Sequence, residues 1–287
     1  MRAKPREQRM RIGCIKRLPS SVTLVYKPSR TLIILCLKAL ALVVGFFLVA
    51  CSDQFATVET KDIDADLADL LSATLNQAKS LPRSGAIRGQ LAMTYDVNGF
   101  PDAALPTYTQ AEALEPGTFA WPYFQAMLFA KRNDPENAII AMKRALKLDP
   151  EYVPAWLLKG AWFVDLARLD DAKNAYAEAG RLGAGSPAIA GTARVLLLEG
   201  RPADAIKLLE PLSEAMRHPH LYRMLGRAYR ALGRAEDARI AFARGRRDEP
   251  LRWRDPIQSQ KVDYSAASAG ALSTPKTRSR PALTQRH

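Results

Sequence analysis

The sequence predicts an all-α protein built from a row of helix pairs, and two observations lead to that fold class. The chain repeats itself at a spacing of 33 or 34 residues, which suits one pair of antiparallel helices with its turns. Alanine holds one position in every unit: Ala104, Ala138, Ala172, Ala205 and Ala238. Large apolar residues hold a second position: Tyr108, Met142, Tyr176, Leu209 and Phe242. Because one helix pair cannot bury its apolar face alone, five such units are expected to stack into a solenoid.

Two further columns explain how the helices of each unit can pack. Small residues occupy the first of them: Ala92, Ala126, Gly160, Ala193 and Gly226. Mostly aromatic residues occupy the second, three positions later: Tyr95, Phe129, Phe163, Leu196 and Tyr229. Small side chains let two helices approach closely, and the large side chains fill the space beside them.

These columns resemble the tetratricopeptide repeat family over about residues 85–252. The best copy of the family motif reads Gly226-x-x-Tyr229-x-x-x-Gly233, followed by Ala238, Phe242 and Pro250. The resemblance implies a right-handed α-solenoid of tetratricopeptide helix pairs. Five repeats are expected at about 85–118, 119–152, 153–185, 186–218 and 219–252.

Both flanks of the array are expected to differ from the repeats. Residues 62–84 carry Ile, Leu and Ala at helical spacing and are predicted to form an N-terminal capping helix after a linker at 51–61. Residues 253–287 are predicted to form a C-terminal cap and a disordered basic tail. The cap is expected to cover the last repeat, since a solenoid needs a protected end. The residues expected to do so are Leu251, Trp253, Ile257, Val262 and Tyr264.

The first 50 residues are predicted to be a signal peptide or a membrane anchor. A basic stretch precedes the apolar run 39–50, which is shorter than the roughly 20 residues that span a membrane. The run ends in Leu-Val-Ala-Cys at 48–51, which resembles the lipobox of bacterial lipoproteins and implies lipidation of Cys51. The alternative is an uncleaved anchor over about 31–50. In both cases the basic flank stays in the cytoplasm and the repeats lie on the periplasmic side.

The net charge of +13 comes from the two ends of the chain. Residues 1–50 have ten Lys and Arg against one Glu, and residues 251–287 have seven against two acids, so residues 51–250 are close to neutral. A nucleic-acid-binding protein should carry its basic surface on the folded domain. No nucleic-acid partner is therefore expected.

The sequence gives no sign of an active site. It lacks a Gly-rich phosphate loop, a zinc-peptidase motif and a nucleophile elbow. His218 and His220 have no Cys or nearby acid to complete a metal site. We therefore expect no enzyme, no metal and no cofactor.

The resemblance implies that the first helices of the repeats line a concave groove that holds a partner. The candidate groove residues are apolar in the early repeats and basic in the late ones: Tyr123, Met127, Leu157, Ala161, Arg194, Arg223, Arg227 and Arg230. Arg223, Arg227 and Arg230 share one helical stripe, and an unpaired arginine stripe favours an acidic partner. A plain solvated helix face is the alternative interpretation of this stripe.

The leading hypothesis is a non-catalytic scaffold, anchored in a membrane on the periplasmic side, that binds an envelope protein or peptide. The outer membrane is favoured if Cys51 is lipidated, and the inner membrane if the N-terminal helix is uncleaved. Two alternatives stay open: a single-pass inner-membrane adaptor, and a module that anchors to the cell wall or another polymer through its basic tail.

Overall fold

The computed structural model describes residues 54–247 and 249–265, and over these ranges the chain is helical and contains no strand. The twelve α-helices of the described ranges are α1 (Ala65–Ser80), α2 (Gly85–Val97), α3 (Pro101–Leu114), α4 (Ala120–Lys131), α5 (Pro135–Leu148), α6 (Val153–Asp165), α7 (Leu169–Arg181), α8 (Ser186–Leu198), α9 (Pro202–Met216), α10 (Pro219–Ala231), α11 (Ala235–Arg244) and α12 (Pro256–Gln260). A 3-10 helix follows at Lys261–Tyr264. The predicted all-α solenoid of helix pairs is confirmed. The predicted signal or anchor segment, Cys51 and the basic tail after residue 265 lie outside the described residues.

The same turn joins the two helices in each of the five pairs α2–α3, α4–α5, α6–α7, α8–α9 and α10–α11. Its middle residue has a positive φ angle in every case: Gly99, Asn133, Ala167, Gly200 and Gly233. The residue after it donates its backbone N–H to a carbonyl five residues earlier, as from Arg234 to Tyr229 at 2.9 Å. This is the 6→1 bond of a Schellman motif, which satisfies a carbonyl at the helix end. The accepting residues are the mostly aromatic column of the sequence, so the turn repeats with the same period as the packing.

Close helix contacts explain why small residues recur in the array. The ring of Tyr176 on α7 lies against Gly160 on α6 and Gly191 on α8, so it joins two repeats. The ring of Phe242 lies in the same way against Gly226 in the last repeat. Even a methyl group on any of these three glycines would overlap the ring. Two of them, Gly160 and Gly226, belong to the column of small residues in the sequence.

The first helices of the later repeats touch one another directly, because α6 contacts α8 and α8 contacts α10. Each second helix also packs against the first helix of the next pair, as α3 does with α4 and α5 with α6. The first helices therefore share one face of the array, which we call the groove face.

The chain before the repeats is packed rather than free. Asp64 caps α1 by accepting the backbone N–H groups of Asp66 and Leu67. Residues 54–58, which the sequence analysis assigns to a linker, lie against the first repeat. The hydroxyl of Tyr95 donates to the carbonyl of Ala56 at 2.7 Å, and the guanidinium of Arg88 lies 3.9 Å from the ring centroid of Phe55. Phe55, Ala56 and Val58 pack against the core, although residues 54–58 have no regular secondary structure.

Candidate peptide-binding groove

An aromatic cluster stands on the groove face where the second repeat meets the third. Tyr123 on α4 stacks on Phe119 with centroids 5.2 Å apart and meets the edge of Tyr152 at 5.5 Å. Phe119 and Tyr152 are also in contact, at 4.9 Å. The sequence predicted Tyr123 as a groove residue, but it did not identify Tyr152, which lies just before α6 and outside the helical pattern.

The hydroxyls of these two tyrosines point to one carboxylate, that of Asp255. Tyr152 donates to Asp255 Oδ1 at 2.6 Å, and Tyr123 donates to Oδ2. The backbone N–H of Ile257 in turn donates to the Tyr152 hydroxyl at 3.1 Å. Burial raises the pKa of Tyr123, and the charge of Asp255 raises it further. Burial also raises the pKa of Tyr152, and its hydrogen bond to Asp255 raises it further. Both phenols therefore stay protonated and act as hydrogen-bond donors.

A second polar contact lies on the first repeat. Asp96 on α2 has a nearly buried side chain, 5% exposed, and its carboxylate accepts from the amino group of Lys261 and from the hydroxyl of Tyr108 at 3.3 Å. The Lys261 amino group also lies 4.7 Å from the ring centroid of Phe124. We call Asp96, Tyr108 and Phe124 together the Asp96 pocket. The sequence pattern does not predict this contact, because Lys261 lies 165 residues after Asp96.

Asp255 and Lys261 belong to one stretch of chain, residues 251–265, which we call the docked segment. Leu251 packs against the core of the last two repeats, whereas Trp253, Ile257 and Tyr264 pack against the core of the earlier ones. The backbone carbonyl of Tyr264 accepts from Asn98 at the end of α2, at 3.0 Å. The docked segment thus runs along the groove face from the last repeat to the first.

The expectation that these residues cover the last repeat is therefore wrong for all but Leu251. The physical reason is that the matching hydrogen-bond partners, Tyr123, Tyr152 and Asp96, lie on the early repeats. Val262, which was expected to join the cap, is 62% exposed.

The remaining predicted apolar groove residues differ in their exposure. Leu157 is 2% exposed and belongs to the core, and Ala161 is half-buried. Met127 lines an open cleft of about 400 Å³ between the groove face and the docked segment. Leu158 and Trp162 line the same cleft on one side, and Gln258 and Lys261 close it on the other.

Three of the four predicted basic residues, Arg194, Arg223 and Arg227, act on His220 at the start of α10. Burial lowers the pKa of His220, and the positive charges of Arg223, Arg194 and Arg227 lower it further together with His218.

The arginines are not an unpaired stripe, however. Arg194 forms an ion pair with Asp165 on the preceding first helix, at 3.3 Å. The guanidinium of Arg230 lies 5.5 Å from the ring centroid of Phe242. Arg223 is half-buried, and its Cγ lies in the space beside Gly245. Arg227 is exposed and has no hydrogen bond or ion pair to any residue in the described ranges.

His218 accepts the backbone N–H of His220 at 3.2 Å and so caps α10. Among the described residues, no group of three His, Cys, Asp or Glu side chains is placed to hold a metal ion. None of the described helices is long and apolar enough to cross a membrane.

Comparisons with known proteins agree on the repeat. Two family models, both described as tetratricopeptide repeat, match residues 90–153 and 196–255. Curated protein sequences give no significant match.

Solved structures are similar in fold. The crystal structure of MamA protein is 18% identical with a TM-score of 0.51, covering 59% of this chain and 98% of that one. YrrB, described as "a TPR protein with an unusual peptide-binding site", is 15% identical with a TM-score of 0.52, covering 71% of this chain and 100% of that one.

Proposed function

We propose that this chain, as a tetratricopeptide repeat protein, is a non-catalytic scaffold that holds a segment of a partner protein on its groove face. We further propose that it is tethered to a membrane on the periplasmic side. The fold itself supports a protein–protein interaction role, since tetratricopeptide domains bind peptide or protein partners. The tether, the compartment and the kind of partner are the proposed parts.

One observation carries the binding role: the groove face already holds a peptide segment. The docked segment makes side-chain and backbone hydrogen bonds to α2, to α4 and to the start of the third repeat. A face that binds one stretch of polypeptide in this way has the donors, acceptors and apolar surface to bind another. YrrB is described as having an unusual peptide-binding site, which is consistent with this use of the fold.

Two features of the sequence support the tether. The apolar run 39–50 leads directly into Cys51, and only Ser52 and Asp53 separate Cys51 from Gln54. The carbonyl of Gln54 accepts from Gln110 of α3 at 3.0 Å, so the described chain is fixed to the first repeat from its first residue. A lipid on Cys51 would therefore hold the first repeat close to the membrane surface. An anchor with more than one acyl chain holds a protein stably at a membrane.

Metabolic labelling with a palmitate analogue tests the tether. We expect label on the wild-type chain and on Cys36→Ala, and none on Cys51→Ala. Label on Cys51→Ala would contradict lipidation at Cys51. Recovery of the unlabelled protein with the membrane fraction would then favour the uncleaved anchor.

Affinity capture from solubilised membranes tests the binding role. We expect Met127→Glu, in the open cleft, to lose the partner that the wild type recovers. Ile140→Glu is the matched control, because Ile140 lies on the second helix of the same repeat and is 55% exposed. Equal recovery by both variants, with equal melting temperatures, would contradict binding at the groove face. Loss of the partner on deletion of 266–287 alone would favour the polymer-anchoring alternative.

A further inference from the structure

We propose that the groove face has a bipartite site for a peptide that carries a carboxylate followed six residues later by a lysine, and that residues 255–261 of the chain occupy this site as an internal competitor. The inference rests on the proposed function, because it names the chemistry of the partner segment that the groove would take.

The Asp96 pocket requires a cation. The Asp96 side chain is 5% exposed, and in the described part of the chain only the Tyr108 hydroxyl and the Lys261 amino group contact its carboxylate. A buried carboxylate without a counter-charge is strongly disfavoured. A segment that displaces Lys261 must therefore bring its own amino group to Asp96.

The pocket suits lysine in particular. Its cation lies between a carboxylate and the face of Phe124, and the Lys261 side chain is only 11% exposed. A compact ammonium group can satisfy both contacts at the end of a flexible stem, whereas the planar guanidinium of arginine prefers bidentate or stacked partners.

The second half of the site takes a carboxylate at the start of a helical turn. The hydroxyls of Tyr123 and Tyr152 donate to Asp255, which also accepts the backbone N–H of Gln258 at 3.0 Å and so caps α12. The turn that Asp255 initiates leads to Lys261 at the Asp96 pocket. The two contacts therefore specify both the residue types and the spacing of a ligand.

The docked segment occupies this site imperfectly, which makes it replaceable. No residue in 249–265 is fully buried. The cleft of about 400 Å³ beside Gln258 is lined by the apolar side chains of Met127, Leu158 and Trp162 together with the charged residues Asp96 and Lys131. The polar amide of Gln258 does not match the apolar part of this lining. A partner segment with a large apolar residue three positions after its carboxylate would fill that cleft and compete with the chain's own segment.

Fluorescence anisotropy with the purified full-length chain tests this proposal. The probe is a fluorescently labelled synthetic peptide of residues 251–265. We expect weak binding to the wild-type chain, because its own segment competes. The double variant Asp255→Asn, Lys261→Met weakens that competitor and should bind the peptide about tenfold more tightly or better. Arg252→Ala is the matched control, since Arg252 is exposed on the same segment and its loss should leave the affinity unchanged.

Peptide variants on the same double-variant chain test the two contacts without altering the fold of the protein. Replacing the lysine of the peptide by alanine should weaken binding about tenfold, and replacing it by arginine should weaken binding as well. Replacing Gln258 of the peptide by leucine should tighten binding several-fold, since burying apolar surface is favourable. The proposal is overturned if the double variant binds no more tightly than the wild type, or if the alanine peptide binds as well as the native one.

Two further measurements distinguish this proposal from the alternative explanations. A concentration-dependent dimer that disappears in the double variant would overturn the internal competitor in favour of docking between two copies. In the membrane capture experiment, the double variant should recover more of the same partner than the wild type. Equal recovery would contradict the role of the docked segment as a competitor, but not the scaffold function. If neither the wild type nor the double variant recovers any partner, the scaffold function is contradicted even if the peptide binds.

Discussion

The indole ring of Trp121 occupies the space that a side chain on Gly89 would need. Gly89 lies on α2 and Trp121 on α4, so the contact joins the first helices of two neighbouring repeats. Trp121 is 1% exposed and cannot move aside into solvent. We expect Gly89→Ala to lower the free energy of unfolding by about 1–3 kcal/mol, the usual cost of overpacking a core. Urea unfolding followed by circular dichroism measures the change.

Gly117 provides the control for this prediction. It lies in the turn between α3 and α4, and a methyl group added there would meet no atom within 4 Å. We expect Gly117→Ala to leave the midpoint of unfolding nearly unchanged. An equal loss in both variants would show that the intrinsic properties of alanine, and not the contact with Trp121, cause the effect.

Ala167 holds a backbone conformation that suits glycine. Its φ angle is 55°, at the turn position that glycine occupies in three of the five pairs. The left-handed region costs an L-residue about 1–2 kcal/mol, part of which is offset by the greater freedom of glycine in the unfolded chain. We expect Ala167→Gly to raise the free energy of unfolding by about 0.5–1 kcal/mol. The converse change at the equivalent turn, Gly200→Ala, should lower it by a similar amount. A loss on Ala167→Gly in urea unfolding would contradict this account.

A network of three side chains joins α3, α4 and α5. Arg144 contacts Glu112 through two nitrogens, at 2.8 and 3.2 Å, and the buried amide of Gln125 donates to Glu112 at 2.7 Å. Because Glu112→Ala would leave Gln125 without this partner, we expect a loss of about 1–3 kcal/mol in thermal or urea unfolding.

The ion pair between Arg132 and Asp102 offers a comparison with that network. The Asp102 side chain is 86% exposed, so solvent screens its interaction with Arg132. We expect Asp102→Ala to cost less than about 1 kcal/mol. Equal losses for Glu112→Ala and Asp102→Ala would contradict a special role for the network.

The parts of the protein that repeat could be predicted from the sequence. The column of small residues predicted where two helices approach each other closely. The repeat spacing predicted that Tyr123 and Met127 lie on the groove face. The occupant of the groove could not be predicted, since Lys261 and Asp96 are 165 residues apart and no periodic pattern relates them. The role of Tyr152 could not be predicted for the same reason, because it contacts Asp255 from outside a helix. The ion pair between Arg194 and Asp165 joins two successive repeats, so the residue pattern within one repeat does not predict it.

The stability of the last repeat should depend on pH through His220. Burial, Arg223, His218, Arg194 and Arg227 lower the pKa of His220 in the folded state from its ordinary value of 6.5. The unfolded chain therefore binds a proton more readily, so the free energy of unfolding falls as the pH drops through 6.5 towards the lower folded-state pKa. We expect a lower urea midpoint at pH 5.5 than at pH 7.5. Replacing His220 with glutamine should reduce this difference, since glutamine does not titrate. An undiminished pH dependence in His220→Gln would assign the effect to other groups.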